Sequence, residues 1–64
     1  MTEIKVYKLQ ESKQVYTFTT ILGMEEIKYH VFEYEEYTAI EVTGTPLEII
    51  RASSIYQQVT TIKL

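Results

Sequence analysis

Alternation of apolar and polar positions governs the first third of the chain. In EIKVYKL, residues 3–9, Ile4 and Val6 share one side with lysines between them, which predicts a β-strand. QESK, residues 10–13, is polar and turn-like. QVYTFTTIL, residues 14–22, is rich in β-branched and aromatic residues. Tyr16, Phe18 and Leu22 fall on one side; Val15, Thr17, Thr19 and Ile21 fall on the other. The composition predicts a second strand, closed by Gly23 and paired with the first as an antiparallel hairpin, with Tyr16 in the core and Tyr29 as a further core candidate.

The stretch MEEIKYHVFEYEEY, residues 24–37, carries two phases. Ile27, Tyr29 and Val31 alternate as one strand face, whereas Phe32 and Tyr34 fall on the opposite one. A bulge near Val31–Phe32 reconciles them, because an extra residue swaps the faces beyond it. The rival is a helix through Met24, Ile27, Val31, Tyr34 and Thr38, at near-helical spacing. Composition decides for the strand: Tyr, His, Val, Phe and Tyr are mediocre helix formers and good strand formers. TAIEV, residues 38–42, predicts another strand with Ile40 and Val42 inward.

T-P-L-E at 45–48 marks a helix start. Thr45 caps, Pro46 fits the first helical position, and Glu48 reaches back to the cap. The helix PLEIIRASS buries Leu47 and Ile50 in this reading and continues toward Ile55. It fades at Gln57–Gln58, since VTTIK is β-branched and suits a closing strand. The expected fold for the single domain 1–64 is α+β. It comprises a small, mainly antiparallel sheet of four to five strands with one short helix near residues 46–55. A small SH3-like barrel is the alternative.

Size and composition narrow the function classes. A chain of 64 residues holds one core. Such a core rarely supplies more than ~3–5 kcal/mol, so small domains recruit disulfides, metals or a partner subunit. Cysteine is absent and histidine occurs once, which leaves good packing or a homo-oligomer; no metal or cofactor is expected. All nine acidic residues are glutamate, so calcium loops built on Asp and Asn have no candidate. Apolar runs are too short to span a membrane and the opening MTEIKVYK lacks a signal-peptide block, which points to a cytoplasmic setting.

The net charge of −3 is unevenly spread: residues 25–41 hold six glutamates and one lysine, and the flanking segments are each net +1. A general phosphate-backbone binder needs the opposite sign. His30 is the one side chain with an ordinary pKa near neutrality, yet no nucleophile and base order accompanies it, so an enzyme is not expected. Glu33, Glu35 and Glu36 would need a cleft to act as paired carboxylates, and a charged turn that discourages edge aggregation explains them more simply. The six tyrosines are the better clue, since tyrosine offers large contact area with a hydrogen-bonding tip. The expected function is non-enzymatic binding of a protein with a basic surface, as a small interaction, accessory or inhibitory protein and homo-oligomer. Phe32, Tyr34, Glu35, Glu36 and Tyr37 form the expected contact face. Nucleic-acid binding by aromatic stacking on the sheet is the alternative.

Overall fold

Five elements follow one another as strand β1 (Glu3–Leu9), helix α1 (Ser12–Met24), strand β2 (Lys28–Glu33), strand β3 (Thr38–Gly44) and helix α2 (Pro46–Thr61). The computed structural model describes residues 1–61. The sheet has three strands in the order β1-β3-β2, and β3 is antiparallel to both neighbours. β1 and β2 are therefore parallel, linked through α1 with β3 inserted between them. The architecture is α+β, as expected, and the described residues form three strands, not the four to five expected, and two helices rather than one. Among the described residues the sheet is open, with β1 and β2 at its edges, and does not close into a barrel.

The largest correction lies at residues 14–22, which form the middle of α1 and not a strand. Their apolar residues fit a helix stripe as well as an alternation: Phe18 and Leu22 are buried, with Val15 and Ile21 packed against the core. Tyr16, assigned to the core as a strand residue, points away and is 73% exposed. β-Branched residues ordinarily disfavour helix, and here burial of the apolar stripe outweighs that while two of the threonines find hydroxyl partners within the helix. The Thr17 hydroxyl donates to the Lys13 carbonyl at 2.8 Å, and that of Thr19 to the Val15 carbonyl at 2.9 Å. The same bonding recurs in the β-branched tail of α2, where Thr60 donates to the Tyr56 carbonyl and Thr61 to that of Gln57, while Val59 is buried against the core. Val59, Thr60 and Thr61 thus belong to α2 rather than to a closing strand, while Ile62 and Lys63 lie outside the described residues.

Helix α1 ends in a Schellman motif. Glu26 adopts φ 58°, the one positive φ among the described non-glycine residues. Its N–H donates to the Gly23 carbonyl at 3.1 Å, and the Ile27 N–H donates to the Leu22 carbonyl at 2.9 Å. Leu22 and Ile27 are both buried, which supplies the apolar contact of that motif. Helix α2 begins as T-P-L-E implies. The Glu48 N–H donates to Thr45 Oγ1 at 3.2 Å, and the Thr45 N–H donates to Glu48 Oε1 at 2.9 Å, a reciprocal capping box.

The buried stripe of α2 is Ile49, Ala52, Ile55 and Val59. Leu47 and Ile50, expected inside, are 78% and 65% exposed. Their row meets Ser54 and Gln57 one and two turns on, whereas the row from Ile49 stays apolar along the helix. The core lies between the helices and one face of the sheet, with Tyr7 and Leu9 from β1 and Ile40 and Val42 from β3. Tyr7, Phe18 and Tyr56 join β1, α1 and α2 at ring-centroid distances of 4.9–5.7 Å. The Tyr7 hydroxyl pairs with Ser53 Oγ, so its polar tip is satisfied at the core margin.

Two stability predictions follow from the helix ends. Thr45→Ala removes the cap and is expected to cost about 0.5–2 kcal/mol by chemical denaturation. Glu26→Gly removes the left-handed penalty of about 1–2 kcal/mol, offset in part by greater freedom of the unfolded chain. The denaturation midpoint therefore rises; a fall would mean that the Glu26 side chain stabilises the turn by more than its strain costs.

Candidate functional site

Register decides which residues share a face. Rows Tyr7–Ile40–Val31 and Lys5–Val42–Tyr29 run across the sheet on the helix side. The alternate rows, Ile4–Thr43–Lys28, Val6–Glu41–His30 and Lys8–Ala39–Phe32, lie on the other side, which no helix covers. No bulge interrupts β2, whose pairing with β3 is continuous from Lys28 to Glu33. The two apolar phases of β2 exist because Tyr29 and Val31 lean toward the helices while Phe32 belongs to the open face. Every residue of β2 is exposed, because it is an edge strand that the helices only partly reach. Tyr29, considered for the core, is accordingly left at its margin, 39% exposed.

The predicted contact residues come together at one end of this face. Phe32 is 41% exposed and its ring stacks on His30 at 5.6 Å. Tyr34 continues the alternation, and its N–H donates to the Tyr37 carbonyl at 2.9 Å, closing the β2–β3 connection. The Tyr34 and Tyr37 rings lie 5.0 Å apart, and Lys8 Nζ sits 4.9 Å from the centre of the Tyr37 ring. Tyr34 is exposed, Tyr37 is half-buried, and Glu35 and Glu36 stand exposed at the tip. The connection uses no positive φ, which agrees with the absence of Asn-Gly or Asp-Gly; the tilted contact of the two rings and the single backbone bond span it instead.

Sequence reasoning missed what completes the face. Ile4 and Val6 are exposed on it, and between Lys8 and Phe32 lies Ala39, which is buried. The signal was present in β1, where apolar residues occupy both alternations, as a strand requires when both its faces have work. The glutamates of 25–41 do not gather in one place. Glu41 is central in the open face, Glu33 has the helix-side register at the edge, and Glu35 and Glu36 form the tip.

Glu25 is engaged elsewhere. Arg51 Nε and Nη2 donate to its two carboxylate oxygens at 3.2 and 3.3 Å, fastening α2 to the end of α1. These hydrogen bonds first, and the guanidinium charge second, hold the Glu25 carboxyl below its ordinary value. Among the described residues no three His, Cys, Asp or Glu side chains group as a metal ion would need, and no helix is long and apolar enough to cross a membrane. No family model matches the chain, and neither a curated protein nor a solved structure matches it.

The Glu25–Arg51 fork has a pH consequence. A lowered folded-state pKa contributes stability above the ordinary glutamate range, and this is lost as pH falls through the lowered value. Arg51→Gln is expected to return the Glu25 titration, followed by carboxyl-carbon NMR, to the ordinary range. An unchanged titration would mean that the fork does not persist in solution.

Proposed function

We propose that this protein is a non-enzymatic protein-binding module acting through the helix-free face of its sheet and the acidic tip beside it. One observation carries this reading: Ile4, Val6, Phe32 and Tyr34 stand exposed on one face with no helix over it. Grouped exposed apolar residues rimmed by charge mark interaction sites more often than they mark idle surface. Glu35 and Glu36 favour a partner with a basic surface and act on its approach more than on the final affinity. Self-association through the same face or through the β2 edge adds buried area to a small core. A cytoplasmic setting suits a chain without cysteine.

A second reading, single-stranded nucleic acid stacked on the sheet, draws on the His30–Phe32 stack with Lys8 and Lys28 on the same face. Protein binding is preferred because Glu41 occupies the centre of that face and Glu35 and Glu36 flank it. Fluorescence anisotropy with labelled oligonucleotides separates the two. Tight binding that weakens steeply with salt would favour the nucleic acid.

The main test uses affinity capture from the native host and analytical ultracentrifugation. Tyr34→Ala with Tyr37→Ala is expected to weaken partner capture or self-association by more than ~1 kcal/mol. Glu35→Gln with Glu36→Gln should mainly slow association and flatten its salt dependence. Circular dichroism follows the fold in both. If the tyrosine pair unfolds the domain while Phe32→Ser leaves binding intact, the aromatic end is structural and the proposal fails.

A further inference from the structure

The opposite edge of the sheet carries a second feature. Between the free edge of β1 and helix α2 runs a groove of about 520 Å³, lined by Lys5, Val6, Lys8, Ser53, Tyr56 and Gln57 among others, with no acidic side chain in its walls. Volumes of this order hold ligands. Its floor is a strand edge, so the direction of the backbone groups matters.

That direction follows from alternation. The Tyr34 N–H donates to the Tyr37 carbonyl, so the backbone groups of this pair face each other between β2 and β3. Hydrogen-bonded and non-hydrogen-bonded pairs alternate in an antiparallel ladder. Ala39, Glu41 and Thr43 therefore face β2, and Thr38, Ile40, Val42 and Gly44 face β1. Across β1, Glu3, Lys5, Tyr7 and Leu9 answer them, which leaves the backbone groups of Ile4, Val6 and Lys8 directed outward. An independent contact agrees: the Lys8 carbonyl, predicted to point outward, accepts the Tyr56 hydroxyl at 2.7 Å. Tyr56 thus clasps one end of the edge and holds α2 beside it, while the groups of Ile4 and Val6 lack a strand partner in the sheet.

We propose that the β1–α2 groove takes an extended acidic peptide segment, added as a fourth strand beside β1, with its two acidic residues three positions apart. The spacing comes from the lysines. Lys5 shares the helix-side register of Tyr7, and Lys8 belongs to the opposite register with Val6. A strand laid against β1 meets Lys5 and Lys8 with residues three apart, one on each face, and places two residues opposite Val6 and Tyr7 between them. Lys5 Nζ already leans into the groove, 3.4 Å from Ser53 Oγ and 5.4 Å from the centre of the Tyr7 ring. Strand addition of this kind draws affinity from main-chain bonds and specificity from alternate side chains. A second copy of the chain is a poorer occupant. Its β2 edge laid on β1 is a head-to-tail contact that leaves a free edge at each end, so growth would not close.

The test is titration of the isotopically labelled protein, followed by amide NMR, with three blocked octapeptides. The first is Thr-Thr-Glu-Val-Thr-Glu-Thr-Thr. The second carries lysine at both glutamate positions. The third, Thr-Thr-Glu-Thr-Glu-Val-Thr-Thr, keeps the charge but puts both glutamates on one face. Saturable shifts at Val6, Lys8 and Gln57 with the first peptide, and at least about threefold weaker binding of the other two, are expected. Lys5→Gln and Lys8→Gln should each weaken the first peptide about two- to fivefold, the range of an exposed ion pair. Equal binding of the first and third peptides overturns the spacing and with it the proposal. So do shifts confined to β2, shifts reproduced by inorganic phosphate alone, or groove shifts that grow with protein concentration in the absence of peptide. Val6 and Lys8 border the open face as well, so Gln57 of α2, which lines the groove and not that face, separates the failure of this proposal from that of the open-face reading.

Discussion

Two helices can cover one face of a three-stranded sheet, and among the described residues no third layer covers the other. The covered face is organised by the contact of Tyr7, Phe18 and Tyr56, which brings one residue from each of β1, α1 and α2 together. Edge-to-face aromatic packing contributes area and some geometric preference beyond area. Around it, Leu22 and Ile27 tie the end of α1 to the start of β2, and Ile40 and Val42 anchor the central strand. The uncovered face then follows by subtraction. Strands that alternate must place half their residues there, and in this chain several of those residues are apolar.

This constraint explains which parts of the fold were legible. The start of α2 could be read because a capping box is a local chemical device that works the same in any context. Strand β3 could be read because a central strand with one covered face shows a clean alternation, with Ile40 and Val42 inside. Residues 14–22 could not, because VYTFTTI scores as strand on composition, and the helix is decided by Phe18 and Leu22 meeting the aromatic cluster. Threonine hydroxyls bonded back to carbonyls four residues earlier leave no polar group unpaired but do not favour helix, so the packing has to decide. The phase of α2 was missed by one row, since Leu47 and Ile50 look like core until the row is followed to Ser54 and Gln57.

The exposure of Phe32 and Tyr34 was legible in the sequence, but its cause was not. Phe32 and Tyr34 were expected to turn outward through a bulge, whereas an unbroken strand presents them because its second face is bare. The charge asymmetry of the sequence was likewise real, yet folding disperses it. Glu25 is held by Arg51, and Glu41 lies in the middle of the open face. What stays concentrated is the tip, where Glu35 and Glu36 project beside Tyr34 and Tyr37.

The two sheet edges are handled differently, and the difference bears on how the protein avoids uncontrolled pairing. Edge strands template further pairing unless charge, shape or cover blunts them. On β1 the blunting is local: Tyr56 takes the Lys8 carbonyl, and Lys5 and Lys8 put one positive charge on each face of the edge. On the proposal above, an incoming strand would bring matching acids, which is selectivity rather than closure. On β2 the charges stand at the ends, Lys28 at one and Glu33 at the other, with Tyr29, Val31 and Phe32 between. Antiparallel approach of two β2 edges about a two-fold axis keeps both helix-free faces on one side and sets Val31 against its own copy, or His30 against its own. Either register forms a closed pair, since each β2 edge is then consumed and the outer edges are the lysine-bearing β1 strands. On the readings proposed above, the apolar β2 edge would be used up by one such pairing, and the lysine-bearing β1 edge would remain for an acidic strand.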